Sequence, residues 1–131
     1  MSLIAPRTPT HRGRRRRTVG ALRAAASCRD FRRLRELLAP DVAVVVDAGE
    51  PDRAKLRVVR GPDDASLLLV HALSARDGQE VAERPVNDRP GLVVSRGGRP
   101  TAAIAIDLAD RLISVVWVRL DPAPLRRGMA V

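Results

Sequence analysis

The sequence predicts an α+β domain, because the spacing of its apolar residues changes near Gly78. Before Gly78, apolar residues recur every three or four positions, as on one face of a helix. After it they alternate with polar residues, as in strands with one buried face. Short turn signals such as Gly97-Gly98 divide this second part into consecutive antiparallel strands. Three helices interleaved with two strands, then four more strands, predict a sheet with helices on one face.

The three predicted helices lie between Val19 and Ala75. The first is the alanine-rich segment Val19–Ala26, and the second begins after Asp30, a suitable N-cap, and continues until Pro40 ends the pattern. The third spans Asp63–Ala75, which carries an apolar stripe at helical spacing. The side chains that we expect in the core are Phe31, Leu34, Leu38, Leu68, Leu69 and Leu73.

The strands are predicted from β-branched runs and from alternation. They are Asp41–Asp47, Leu56–Val59, Val81–Val86, Gly91–Arg96, Thr101–Leu108 and Leu112–Leu120, with the last turn at Ala109-Asp110. Alternation places Asp107 on the face of Ala103 and Ala105, opposite Ile104 and Ile106. By the same rule Trp117 shares a face with Ile113 and Val115.

The first part of the chain is strongly basic. The whole sequence has 24 basic and 15 acidic residues, a net charge of +9, and the excess is concentrated before Gly20. We therefore predict a disordered basic arm over residues 1–18, without stable contacts as far as Arg17, and a folded domain over residues 19–131. The candidate phosphate-binding residues of the arm are Arg12, Arg14, Arg15, Arg16 and Arg17. The alternative is a solubilising tail with no ligand.

Several classes of protein do not fit the sequence. Its apolar runs are far shorter than the ~20 residues of a membrane-spanning helix, and no secretory signal follows the basic start, so we expect a cytoplasmic protein without membrane contact. Cys28 is the single cysteine and cannot form an internal disulfide. No metal-binding spacing and no phosphate-binding glycine motif occurs, so we expect no cofactor.

Three segments resemble a known family. They are Leu37–Val42, Arg84–Val93 and Ile106–Ile113. Residues 21–125 are similar to the SnoaL-like domains of the nuclear transport factor 2-like superfamily, and more narrowly to the C-terminal domain of SigJ-type extracytoplasmic-function sigma factors. The resemblance implies a cone-shaped fold, in which three N-terminal helices pack on a curved, mostly antiparallel sheet.

The chain keeps only part of the two motifs of those sigma factors. Asp47 and Gly49 match an Asp-Gly-Gly-Gly-Lys motif after the first strand. The later Asn-Pro-Asp-Lys-Leu motif is matched by Pro122 and Leu125, and with Asp121 these are the partner-binding residues that the resemblance implies. About 20 residues precede the domain, too few for the DNA-binding and polymerase-binding regions of a sigma factor, so we expect that the chain is not a sigma factor alone.

Enzymes of the superfamily use an aspartate with a histidine or with tyrosines. This chain has no tyrosine, and its histidines are His11 in the arm and His71 on the third helix, which we expect to be partly buried. Asp47 and Asp107 remain as catalytic candidates and also as ligand-binding candidates. Asp107 is either a buried acid or a carboxylate that accepts backbone hydrogen bonds at a hairpin end. For Trp117 core packing and pocket lining stay open.

Three functions follow from these observations. The leading hypothesis is a non-catalytic regulatory domain that binds a transcription-related protein or a small apolar ligand, with a homodimer as a further arrangement. The second is a small-molecule enzyme of the isomerase or cyclase type with an acidic pocket residue. The third is a weak nucleic-acid binder that acts through the arginines of the arm.

Overall fold

Three helices cover one face of a six-stranded sheet in residues 11–48 and 56–120, the part of the chain that the computed structural model describes. The elements are α1 (His11–Ser27), α2 (Phe31–Leu37), β1 (Leu38–Asp47), β2 (Leu56–Arg60), α3 (Pro62–Leu73), β3 (Gln79–Val86), β4 (Arg89–Arg96), β5 (Arg99–Ala109) and β6 (Leu112–Leu120). The α+β prediction and all six predicted strands are confirmed, with the ends of most strands shifted by one to three residues.

The sheet has the strand order β2-β1-β6-β5-β4-β3. Strands β1 and β6 are parallel, and every other neighbouring pair is antiparallel, as the prediction of a mostly antiparallel sheet requires. The first strand therefore lies beside the last, and β6 joins the β1–β2 pair to the three strands that precede it.

Two-residue turns connect the consecutive strands from β3 through β6, and both residues of each turn have positive φ. The turns are Asn87-Asp88, Gly97-Gly98 and Asp110-Arg111. This geometry is that of type I′ turns, whose twist matches that of the flanking strands. The last turn lies one residue later than predicted, because Ala109 still pairs with Leu112 in the ladder.

Helix α1 begins at His11, eight residues before the predicted start at Val19. The prediction of a disordered arm is therefore wrong for residues 11–18, and residues 1–10 lie outside the described part of the chain. Arginine has a high helix propensity, so an arginine run extends a helix that the core already anchors. Arg15 lies one turn before Val19, and its Nη2 is 4.0 Å from an Asp107 carboxylate oxygen, so the expectation of no stable contacts as far as Arg17 is also wrong.

Helix α2 is shorter than predicted. It starts after Asp30, whose Oδ1 accepts a hydrogen bond of 3.0 Å from the Arg33 backbone N–H, so the predicted N-cap is confirmed. It ends at Leu37, and Leu38 already belongs to β1. The pairing of β1 with β6 is interrupted between Leu38 and Ala43, a stretch that contains Pro40, which has no N–H to donate. None of the described helices has the length and apolarity needed to span a membrane.

One cluster of buried side chains joins the three helices to the sheet. Of the predicted core residues, Leu34, Leu38, Leu69 and Leu73 are buried in this cluster. The other two, Phe31 and Leu68, are partly buried and pack against it. We call the side of the sheet that carries this cluster the helix face, and the opposite side the open face.

A bulge in β6 decides which of its side chains reach the open face. Asp107 pairs with Val115 and Leu108 with Ile113, so Ser114 is an extra residue without a partner in β5. Ile113 and Val116 are therefore both buried in the cluster on the helix face. Trp117 lies on the open face, and the prediction that it shares a face with Ile113 is wrong, because simple alternation does not continue across a bulge.

Two glycines allow a matched test of this packing. A Cβ at Gly91 would collide with the Ile104 carbonyl oxygen and lie 2.8 Å from Val86 Cγ2, whereas a Cβ at Gly20 in α1 would meet nothing closer than 3.6 Å, at Glu83. Gly91→Ala should lower the free energy of unfolding by about 1–3 kcal/mol through overpacking. Gly20→Ala should raise it by about 0.5–1 kcal/mol through helix propensity. Urea unfolding of both variants checks the two signs; equal effects would contradict the close β4–β5 approach.

Candidate functional site

A concave groove lies on the open face of the sheet. Its volume is about 530 Å³, and all six strands contribute to its lining. The residues that line it include Val45, Asp47, Leu56, Val86, Arg89, Ala103, Ala105, Asp107, Trp117 and Arg119. We call this site the groove.

Strand register explains why the groove forms at this place. Val45 of β1 pairs with Trp117 of β6, and Trp117 pairs with Ala105 of β5, so the three side chains form one row across the open face. In the next row Arg119 lies opposite Ala103. The alanines have almost no side chain to fill the space beside the large Trp117 and Arg119, and a depression results.

Both carboxylate oxygens of Asp107 are engaged in this groove. The Trp117 indole Nε1 donates a hydrogen bond of 2.8 Å to Oδ2, and Arg89 Nη1 donates one of 2.8 Å to Oδ1. The Asp107 side chain is 32% exposed, so it is not the buried acid of the first interpretation. It also does not fit the second interpretation, a carboxylate that accepts backbone hydrogen bonds, since its partners are the side chains of Arg15 in α1, Arg89 in β4 and Trp117 in β6. Each oxygen therefore accepts a hydrogen bond from a side chain of a neighbouring strand.

Asp47 is held in a similar way on β1. Its Oδ2 lies 3.6 Å from Arg119 Nη2, on the strand beside it. Asp47 and Asp107 therefore both line the groove, and each faces an arginine. Among the described residues of the groove, each carboxylate charge is thus paired with a guanidinium charge.

Trp117 is 45% exposed and forms one wall of the groove. Of its two open interpretations, the structure places it at the pocket and not in the core. Two more apolar residues on β2, Leu56 and Val58, are exposed at the same side, since Val58 pairs with Val45 in the row that contains Trp117. The groove thus continues into an exposed apolar strip at the edge of the sheet.

The arginines of the predicted arm do not form one surface. Arg15 reaches Asp107, while Arg14 and Arg17 line a separate cleft and Arg16 lines a third depression beside Glu83. The side chain of Arg12 lies outside the described part of the chain. The predicted partner-binding residues Asp121, Pro122 and Leu125 also lie outside it.

Sequence reasoning missed Arg89 and Arg119, which hold the two carboxylates. Continued alternation from Trp117 would have placed Arg119 on its face, and the β4–β5 register would have placed Arg89 opposite Asp107. His71 is exposed at the end of α3, not partly buried as expected, and does not line the groove. Within the described ranges no group of three His, Cys, Asp or Glu side chains is placed to hold a metal ion.

Solved structures superpose on this architecture over most of its length. A nuclear transport factor 2-like protein from Mesorhizobium loti matches with a TM-score of 0.62 and 13% identity, over 87% of this chain and 96% of its own. The fold is nuclear transport factor 2-like. A ketosteroid isomerase-like protein from Kribbella flavida matches with a TM-score of 0.60 and 15% identity, over 87% of this chain and 82% of its own. At these identities the likeness concerns the fold alone.

The extracytoplasmic-function sigma factor SigJ from Mycobacterium tuberculosis is more similar in sequence. It matches with 27% identity and a TM-score of 0.59 over 83% of this chain and 42% of its own, so the chain spans less than half the length of SigJ. The resemblance to the SnoaL-like domains of such sigma factors, inferred from three sequence segments, is confirmed by these matches. No protein-family model matches the chain, and no curated protein matches it in sequence.

A double-mutant cycle tests the contact that organises the groove. Trp117→Phe removes the indole donor to Asp107, and Asp107→Ala removes the acceptor, so their effects on the free energy of unfolding should be non-additive by about 1 kcal/mol. Urea unfolding of the two single variants and the double variant gives this coupling. Asp63→Ala is the matched control, because Asp63 pairs with Arg35 and lies in α3. Additive effects of Trp117→Phe and Asp107→Ala would show that the hydrogen bond contributes nothing.

Proposed function

We propose that this protein is a non-catalytic regulatory module of a sigma-factor system, which binds a partner protein through the groove and the apolar strip beside it. The observation that carries the proposal is the engagement of both Asp107 oxygens by Arg89 and Trp117. The carboxylate that could have acted as an acid or base instead fixes the position of an exposed indole.

The chemistry of the groove supports a binding role over a catalytic one. General acid or base catalysis needs a side chain that can gain or lose a proton beside the substrate, and each such group contributes ~100- to 10,000-fold in rate. Among the described residues that line the groove there is no histidine or tyrosine, and Asp47 and Asp107 both face arginines. A ligand held there would meet apolar walls and fixed charges.

The exposed residues of the open face resemble the centre of a protein interface. Tryptophan and arginine are enriched in such centres, where an aromatic side chain packs against the partner and charged groups surround it. Trp117 with Leu56 and Val58 provides the apolar area, and Arg89 and Arg119 lie at its border. This composition supports a protein partner, and a small apolar ligand in the same groove is the alternative.

The similarity to SigJ suggests which partner to test first. SigJ is 27% identical to this chain, and it matches this chain with less than half of its own length. We propose that the partner is the remaining part of such a sigma factor, its DNA-binding and polymerase-binding regions. This role places the protein in the cytoplasm, with the transcription machinery.

A turnover screen separates the binding role from the isomerase or cyclase alternative, which the likeness to the Kribbella flavida protein suggests. Ketosteroid-like and polyketide-like substrates are incubated with the protein, with Asp107→Asn and with Asp63→Asn, which removes a carboxylate that does not line the groove. We expect no turnover by any of the three. Turnover that disappears in Asp107→Asn and persists in Asp63→Asn would overturn the non-catalytic proposal.

Fluorescence tests the partner directly, because Trp117 is the single tryptophan of the chain and lines the groove. Titration with the DNA-binding and polymerase-binding regions of a SigJ-type sigma factor, in a version without tryptophan, should change its emission saturably. Leu56→Asp should weaken binding by about tenfold, or ~1.4 kcal/mol. Leu67→Asp is the matched control, since Leu56 and Leu67 are 57% and 60% exposed, on β2 and on helix α3 respectively. Equal loss in both variants, or no emission change, would contradict the proposed interface.

A further inference from the structure

A second cleft, distinct from the groove, is lined by arginines from three different elements. Arg14 and Arg17 belong to α1, Arg33 to α2, and Arg111 to the β5–β6 turn. The cleft has a volume of about 550 Å³. We propose that this arginine cleft binds the phosphodiester backbone of a nucleic acid, without reading its sequence.

The fold itself brings these arginines together. Residues three apart lie on the same side of a helix, so Arg14 and Arg17 share one face of α1, while Arg15 lies on the face of Val19 and Leu22 that packs on the core. Helix α2 packs beside α1 and brings Arg33 to the cleft. The positive φ values of Asp110 and Arg111 form the tight turn that brings Arg111 to the same place.

The charges of the cleft are mostly uncompensated. Arg33 forms a salt bridge of 3.2 Å with Glu36. Within residues 11–48 and 56–120, the salt bridges include none from Arg14, Arg17 or Arg111. No carboxylate lines the cleft in this part of the chain. Converging guanidinium groups repel one another, so an anion that enters the cleft relieves an existing repulsion. The groove differs in this respect, since its arginines are paired.

The lining of the cleft favours a polymer backbone over a base or a small nucleotide. Guanidinium groups match phosphate oxygens with two parallel hydrogen bonds, and here they come from three elements, which suits several phosphates in a row. The remaining lining residues are Thr18, Ala21 and Leu37. Recognition of a nucleobase usually requires an aromatic side chain for stacking, and none of the described residues that line the cleft is aromatic. Phosphate contacts of this kind position a protein without specifying a sequence.

Fluorescence anisotropy of the full chain with two short labelled DNA duplexes of unrelated sequence tests this proposal. Both duplexes should bind equally well, and the logarithm of the association constant should fall with the logarithm of salt concentration at a slope of about −0.9 per phosphate contact. Arg17→Gln and Arg111→Gln should each weaken binding to both duplexes and reduce the slope by about 1. The matched control is Arg99→Gln, which removes one exposed arginine at the opposite end of β5.

A second variant of Arg111 separates binding from folding. Arg111 has a φ of 76°, a conformation that favours glycine, so Arg111→Gly should lose as much DNA affinity as Arg111→Gln while its thermal unfolding temperature is not lowered. Equal weakening by Arg99→Gln would overturn the proposal, because it would show that only net charge matters. Binding of inorganic phosphate or a nucleoside triphosphate at this cleft, with no binding of either duplex, would also overturn the proposal. It would indicate a site for small anions. The groove variants Asp107→Asn and Leu56→Asp should bind DNA normally, so this test fails or succeeds independently of the proposed partner.

Discussion

One extra residue in β6 sets the arrangement of the candidate site. Because Ser114 has no partner in β5, Ile113 enters the core on the helix face while Val115 and Trp117 reach the open face. The Ser114 hydroxyl donates a hydrogen bond of 3.2 Å to the Asp107 carbonyl, which ties the bulge to the strand beside it. Without the bulge, Trp117 and Ile113 would lie on the same face of the sheet. The indole could then not reach Asp107 on the open face while Ile113 remains buried on the helix face.

The domain separates two kinds of arginine. On the open face, arginines face carboxylates of neighbouring strands, and the described residues form a groove with paired charges and an exposed indole. Around the N-terminal half of α1, arginines converge without comparable partners among the described residues. The first arrangement is suited to shape-dependent contact with a folded partner, and the second to contact with a polyanion whose binding depends on salt. A net charge of +9 alone could not distinguish these two environments.

Most of the fold could be predicted from local pattern, since period-two alternation and two-residue turn signals act over a few residues. The start of α1 could not, because the arginines before Val19 have no apolar period, and their helix is anchored by residues further along the chain. The alternation of apolar and polar residues could not predict the bulge at Ser114 either, because it assumes uninterrupted pairing between strands. At the site, Asp47, Asp107 and Trp117, the candidates from the sequence, all line the groove. Their arginine partners depend on strand register, which a single strand's pattern does not contain.

The position of β6 has a consequence for how this chain acquires its structure. Strands β1 and β2 leave the ribosome early, but they join the rest of the sheet only through β6, more than fifty residues later. Until Leu112–Leu120 emerges, β1 presents an unpaired edge and the β3–β5 meander presents another. Closure of the sheet is therefore a long-range, late event, and such contacts slow folding relative to local ones. During synthesis the unpaired edges of the two half-sheets therefore expose backbone N–H and C=O groups that favour pairing with other chains until the sheet closes.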